Sequence, residues 1–320
     1  MRVLSGIQPS GVPHIGNYFG MMRPAVELQE KGEAFLFIAD YHSLTTQPDP
    51  EYLREQVNGV ALDFLACGLN PEKTVFFRQS DVPQVTELTW ILSTITTVGV
   101  LERAHSYKDK LAKGFVPNNG LFTYPVLMAS DILIYQSTLV PVGKDQKQHL
   151  EITRDLAIKF NNIYGDIFTI PEESIRESVA VVPGIDGQKM SKSYDNAIPI
   201  FGGKKATRKL IMSIVTDCKG LEEPKDPDTC NVVALFKLFA DEKQLKAMKD
   251  NYRAGNYGYG HAKQELFETM WEYFEPMRKR REELADNLDY VWDILKKGGQ
   301  TAAAEAEKTM VKVRKAVGLR

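Results

Sequence analysis

Apolar residues follow two alternating rhythms over roughly the first 165 positions. Short runs at Arg2–Ile7, Ala34–Ala39, Thr74–Phe77 and Leu139–Val142 predict strands. The Ala34–Ala39 run is apolar on both faces, as a fully buried strand requires. Between the runs, apolar residues recur every three to four positions and predict helices: Ile15 to about Gly32 with a kink at Pro24, Glu51–Leu69, most of Val82–Leu111, Leu121–Tyr135 and Asp145–Tyr164. In Glu51–Leu69 the residues Leu53, Val57, Val60, Ala61, Phe64 and Leu65 share one face. Strand and helix in alternation imply a parallel sheet with crossover helices.

The rhythm loosens from Ile170 to about Gly203, where Pro171, Pro183, Gly184, Gly187, Pro199, Gly202 and Gly203 fall. After Lys204 helical spacing resumes over Thr207–Val215, Val232–Phe239, Glu242–Tyr252, Ala262–Leu295 and Thr301–Val317, with Gly298-Gly299 separating the last two. Gly220–Asp228 is polar and reads as a loop. The expected architecture is an α/β domain over 1–195, a helical domain over 196–300, and a helix over 301–320 that packs back on the first domain.

Composition sharpens this. At 320 residues with 43% hydrophobic and 26% charged, the chain fits about two globular domains, and disordered and fibrous classes are excluded. The formal net charge of −2 argues against a protein that coats nucleic acid. The charge is uneven, however: 276–320 holds 11 Lys+Arg against 7 Asp+Glu, densest at Arg278-Lys279-Arg280-Arg281. That run reads as a solvated helix face or as an RNA contact. No apolar stretch approaches a membrane span or a signal peptide, so a cytoplasmic protein without a membrane partner is expected. Cys67, Cys218 and Cys230 are widely spaced without C-x-x-C, so neither a disulfide framework nor a protein-built metal site is expected.

Two segments carry chemistry. Gly6-Ile7-Gln8-Pro9-Ser10-Gly11-Val12-Pro13-His14-Ile15-Gly16-Asn17 joins the first strand to the first helix, where open α/β sheets bind ligands. The free N–H groups of that first turn suit an anion, Gly16 admits close approach to the backbone, and His14 and Asn17 can both donate to phosphate oxygens. The plainer reading is a capped helix with a surface histidine. The second segment, Gly187-Gln188-Lys189-Met190-Ser191-Lys192-Ser193, places two lysines and two serines in a glycine-flanked loop. Such a loop can bring charge to a polyphosphate or simply be solvated.

Together the two segments are far more specific. His14-Ile15-Gly16-Asn17 resembles the HIGH motif of class I aminoacyl-tRNA synthetases, and Lys189-Met190-Ser191-Lys192-Ser193 is identical to their KMSKS motif. The terminal Asn17 resembles the tryptophanyl and tyrosyl branch. Leu127-Met128-Ala129-Ser130-Asp131-Ile132-Leu133-Ile134-Tyr135 resembles the tryptophanyl pattern, as does Ser5–Gly11. The resemblance covers nearly the whole chain. It implies a Rossmann-like parallel-sheet catalytic domain with a C-terminal all-helical, anticodon-binding domain.

The resemblance also implies residue roles. His14, Asn17, Lys189 and Lys192 are the expected catalytic residues. Gln8, Pro9, Ser10, Gly16, Asn17, Gly143, Lys144, Asp145, Val182 and Lys189 to Ser193 (with Met190 and Ser191) are the expected ATP-binding set. Asp131, Tyr124, Gln146, His42 and Leu4 are the expected tryptophan-binding set, with Asp131 accepting the indole N–H. Leu4 stands where relatives often carry an aromatic, and Lys144 where they carry an acid. Asp131 alone also reads as a helix carboxylate paired with a lysine, Asp145 as a helix cap, and His42 as a core histidine. The implied reaction joins L-tryptophan to ATP as an adenylate and passes it to tRNA(Trp), with Mg²⁺ bound mainly through ATP phosphates and a homodimer built through Val82–Leu111, where Trp90, Ile91 and Ile95 supply apolar surface. A tyrosyl enzyme, a non-catalytic paralogue and a small-molecule adenylyltransferase are the rivals; pyrophosphate exchange across the amino acids separates them.

Overall fold

The computed structural model describes all residues except 47, 105, 106, 109–111, 113, 115, 144, 145, 176–181 and 320. Five strands form one parallel sheet: β1 (Arg2–Ile7), β2 (Glu33–Ile38), β3 (Thr74–Arg78), β4 (Leu139–Val142) and β5 (Glu172–Ile175), in the order β3-β2-β1-β4-β5. The first four lie within a residue of their expected limits. β5 is the addition: its sequence Glu-Glu-Ser-Ile has no apolar run, and as an edge strand it needs none.

β2 is buried from Ala34 to Ile38, because it has a neighbour on each side and helices on the sheet faces. Its register sets Leu4 beside Phe35 and Gly6 beside Phe37. A Cβ on Gly6 would sit 2.5 Å from the Phe37 ring, so glycine there makes room for an aromatic core. Phe35 stacks on Tyr135 at 5.2 Å, and Phe37 lies 5.9 Å from Phe77. The chain adds β2 and β3 on one side of β1, then β4 and β5 on the other. The carboxyl ends of β1 and β4 therefore flank the point where strand order reverses, the usual ligand crevice of such sheets.

The chain divides into two compact units. One comprises Met1–Gly11, Ala25–Ser178 and Leu284–Arg320; the other Val12–Pro24 and Val179–Glu283. The boundaries differ from 195/196 and 300/301: the stretch around His14 belongs with the helical segment, and the sheet's unit takes in the chain from Leu284 rather than from 301. An aromatic cluster explains the first assignment. Tyr18 and Phe19 pack on Tyr273, Phe274 and Phe239, with Tyr18–Phe274 ring centres 5.0 Å apart and Phe19–Phe239 5.4 Å.

Three helix expectations are corrected. Residues 15–30 are not one α-helix: a π-turn at Tyr18–Met22 precedes Arg23–Glu27, and a 3₁₀ turn at Leu28–Glu30 ends the run. The wider turn accommodates Pro24, which supplies no N–H. The expected Ala262–Leu295 helix is three pieces, Tyr259–Tyr273, Glu275–Ala285 and the start of Leu288–Val317. Pro276 stands in the first turn of the middle piece, where its missing donor costs nothing. Conversely, Gly298-Gly299 breaks nothing: Leu288–Val317 runs through it as one helix. That helix packs on β3 and on helix Gln84–Ile95. A Cβ on Gly298 would lie 1.9 Å from the Phe76 carbonyl oxygen, and one on Gly299 2.7 Å from Asp81 Cβ. The glycines serve close packing.

Candidate active site

The first candidate segment begins at the helix start. His14 is extended and caps Ile15–Asn17. Its Nδ1 accepts the Asn17 N–H at 3.2 Å, while Asn17 Oδ1 accepts the His14 N–H at 3.1 Å. Because Nδ1 is an acceptor, a neutral ring carries its proton on Nε2. His14 is buried, and burial, then the charge of Lys192, lowers its pKa to about 4. The ring is therefore a neutral donor at neutral pH. A Cβ on Gly16 would meet the His14 ring at 3.1 Å and Met190 Cβ at 3.5 Å. The glycine thus leaves space between the histidine and the lysine loop.

That loop is well braced. Pro183 and Lys189 form an antiparallel bridge, the Met190 N–H donates to the Val182 carbonyl at 2.9 Å, and Gly187 turns with φ of 82°. Met190 and Val182 are buried; Lys189, Lys192 and Ser193 are exposed. Ser191 and Ser193 hydroxyls lie 2.8 Å apart. Asn196, 1% exposed, is the knot beneath them. Its Oδ1 accepts the Ser191 N–H at 2.8 Å, and its Nδ2 donates to Asp186 Oδ1 at 2.8 Å and to the Lys189 carbonyl at 3.1 Å. Sequence reasoning missed Asn196; its only signal was an amide three residues beyond the motif.

In the sheet unit, Gln8, Pro9 and Ser10 follow β1 and Gly143 follows β4, so they border the two strand ends at the switch point. Gln8, Ser10 and Gly143 are exposed; Pro9 is buried. Lys144 and Asp145 lie outside the described residues. Gln146 stands at the start of helix Lys147–Tyr164.

Asp131 lies in helix Asn119–Ile134, 2% exposed. Its partners are not lysines. His42 Nε2 is 2.8 Å from Oδ2, and Gln79 Nε2 donates to Oδ1 at 2.8 Å and Oδ2 at 2.9 Å. Burial raises the carboxyl pKa, while the His42 and Gln79 contacts oppose that rise. Tyr124, two turns earlier on the same helix, sets its ring edge-on to His42 at 6.2 Å, and its hydroxyl is 2.6 Å from His149 Nε2. The structure thus gathers Asp131, His42 and Tyr124, and adds Gln79 and His149, which the sequence reading did not select. Leu4 is buried in the sheet core. A cavity of about 420 Å³ includes Tyr124, Leu127, Tyr41 and Asn118 in its wall, within the ~300–1,000 Å³ range of small-molecule sites.

Among the described residues no helix is long and apolar enough to cross a membrane, and no group of three His, Cys, Asp or Glu is placed to hold a metal ion.

The tRNA synthetases class I (W and Y) family matches residues 1–275. A tryptophan--tRNA ligase of Fusobacterium nucleatum is 56% identical over 319 residues, covering 99% of this chain and 98% of the relative. The tryptophanyl-tRNA synthetase of Campylobacter jejuni, solved with ADP and tryptophan, superposes with a TM-score of 0.96 at 50% identity over 100% of both chains. That of Mycoplasma pneumoniae superposes at 0.82 with 30% identity, covering 100% of this chain and 98% of its own.

Proposed function

Because the chain belongs to the class I tRNA synthetases for W and Y, in their bacterial tryptophan--tRNA ligase branch, we infer that its two candidate segments serve ATP and that the residues around Asp131 hold tryptophan in that reaction. The enzyme activates L-tryptophan with ATP and transfers the tryptophanyl group to tRNA(Trp). The tryptophan carboxylate attacks the α-phosphorus, pyrophosphate leaves, and the adenylate's acyl group then passes to the tRNA 3′ end. No protein nucleophile is required, so catalysis is positioning plus charge stabilisation.

The observation that carries the site assignment is the Asn17 N–H bonded to His14 Nδ1, which leaves Nε2 as the donor of a neutral ring. With Asn17 it offers hydrogen-bond donors to phosphate oxygens and adds no charge. The exposed Lys189 and Lys192 supply positive charge to the departing pyrophosphate. Gln8, Pro9, Ser10, Gly16, Gly143, Lys144, Asp145, Val182, Met190, Ser191 and Ser193 complete the ATP-binding set. Asp131, His42, Tyr124, Gln146 and Leu4 form the tryptophan set, with Asp131 as acceptor for the indole N–H.

The phosphate-facing residues here are donors and cations, with no carboxylate cluster among the described residues. That donor set fits Mg²⁺ arriving with ATP and held through phosphate oxygens, where it neutralises charge. The helices beyond 196 carry the tRNA contact, with Arg278–Arg281 its most cationic stretch. Trp90, 73% exposed, supports a homodimer face, whereas Ile91 is buried in the protomer core. The cytoplasm, where translation proceeds, is the place of action. Pyrophosphate exchange tested with every amino acid decides the specificity: exchange with tryptophan alone is expected, and exchange with tyrosine alone overturns it.

A further inference from the structure

We propose that Gln79 is the positioning residue that gives the tryptophan pocket its selectivity, by fixing the carboxyl group of Asp131 in one orientation as an acceptor. The proposal rests on the reading that Asp131 receives the indole N–H.

Gln79 opens the 3₁₀ turn Gln79–Asp81 that follows β3, and is 1% exposed. A glutamine so deeply buried must satisfy both ends of its amide. It does so with two elements at once. The His42 N–H donates to Gln79 Oε1 at 3.4 Å, which fixes the oxygen end. The Nε2 end then faces Asp131 and reaches both carboxylate oxygens at 2.8 and 2.9 Å. Turning the amide over would set its oxygen against a carboxylate and its NH₂ against an N–H, so both ends favour the same orientation.

The consequence falls on Asp131. A buried carboxylate with no donor reverts to its neutral form and rotates about its last torsion. Gln79 spans both oxygens and so restrains that rotation, while His42 engages Oδ2 from another element. A carboxylate has about four lone-pair sites. The contacts from Gln79 and His42 use part of that capacity and leave room for one further donor. An indole N–H meets it. An amino acid of the same shape without the N–H leaves a fixed, buried acceptor short of a donor, which is the expensive case. A carboxyl free to turn or to take up a proton discriminates far less. Selectivity therefore depends on Gln79, which is not itself assigned to the substrate.

The test uses the full-length enzyme and compares tryptophan with 3-(benzothiophen-3-yl)alanine, in which sulfur replaces the indole N–H. Gln79→Glu keeps the shape and the acceptor but loses the NH₂; Gln79→Met loses both. In pyrophosphate exchange each variant is expected to raise KM for tryptophan at least ~10-fold, with KM for ATP within about threefold of wild type, and to shrink the preference for tryptophan over the sulfur analogue by at least ~10-fold. An unchanged preference in either folded variant overturns the proposal. Asp131→Asn separates the two layers: a preference lost there but kept in the Gln79 variants sinks Gln79 alone, and one kept in Asp131→Asn sinks the pocket reading. A crystal structure of the wild-type enzyme with tryptophan bound stands whether or not the variants fold. Gln79 is expected to remain bonded to both Asp131 oxygens, and a Gln79 turned away from them overturns the proposal.

Discussion

His14 and Asn17 each donate a backbone N–H to the other's side chain, at 3.1 and 3.2 Å, so one pair of bonds closes the helix start and also selects the imidazole tautomer. Stability and chemistry share the same two residues. With burial and Lys192 lowering the His14 pKa to about 4, the unfolded chain, with its histidine near 6.5, binds a proton that the folded chain refuses. His14 therefore imposes no penalty on folding above about pH 6.5, and a growing one as pH falls toward 4. The His14 Cε1 proton should show no NMR titration between pH 5.5 and 8. Lys192→Ala should move its midpoint upward, though not to 6.5, because burial is the larger cause.

The same lysine should dominate the chemical step. Lys192→Ala is expected to slow adenylate formation at least ~10²-fold while leaving tryptophan affinity within about threefold, the signature of a contact made only in the transition state. Single-turnover kinetics with separately measured tryptophan binding is the check, and an unaltered rate refutes the assignment.

Gly298→Ala offers a test in which sign alone decides. Helix propensity predicts stabilisation by up to ~1 kcal/mol. The 1.9 Å approach of its would-be Cβ to the Phe76 carbonyl predicts instead a loss of about 1–3 kcal/mol, the usual cost of overpacking. Denaturant melts distinguish the two.

Lys225 provides a stability test in the helical segment. It is 3% exposed, and its ammonium donates to the carbonyls of Gly220, Leu221 and Glu223 at 2.7, 3.1 and 3.0 Å. Lys225→Met strips three carbonyls of their donor and should cost about 2–4 kcal/mol, at about 1–3 kcal/mol for each group left unsatisfied and with partial rehydration. The loss should be accompanied by faster proteolysis of 220–228. Wild-type resistance in the variant counts against the bracing role.

The sheet was legible because its first four strands are short, largely apolar stretches between helical ones, most plainly β2, whose buried Ala34–Ile38 has no polar residue. β5 was not, since an edge strand can be built from Glu-Glu-Ser-Ile. The glycine pair at 298–299 misled for a related reason: local sequence cannot tell a glycine that ends a helix from one that lets a helix touch a strand. Only the carbonyl of Phe76, some 220 residues earlier, makes that distinction.

The candidate site divides the same way. His14, Asn17 and the lysines stand in compact motifs whose spacing is itself the signal. Asp131 was visible as a charge in an apolar helix. Of its partners, His42 entered only through the family resemblance and Gln79 not at all, because they reach it from separate elements, 89 and 52 residues away in the chain. Tyr124 and His149 meet across two helices for the same reason, and Asn196 acts on a loop through bonds that leave no periodic mark.

The docking of Leu288–Val317 on β3 also bears on how the protein is made. Arg2 bonds Glu305 at 2.8 Å, and Arg314 bonds Glu87 at 2.6 Å, so the earliest strand and helix Gln84–Ile95 both await a partner from beyond residue 300. During translation the sheet emerges first, yet it remains uncovered along β3 until the ribosome has passed Val317. The unit that reaches Glu283 closes earlier, although its main segment starts at Val179. Order of synthesis and order of completion are therefore opposite, and the nascent sheet is the stage at which this chain is most exposed to misassociation.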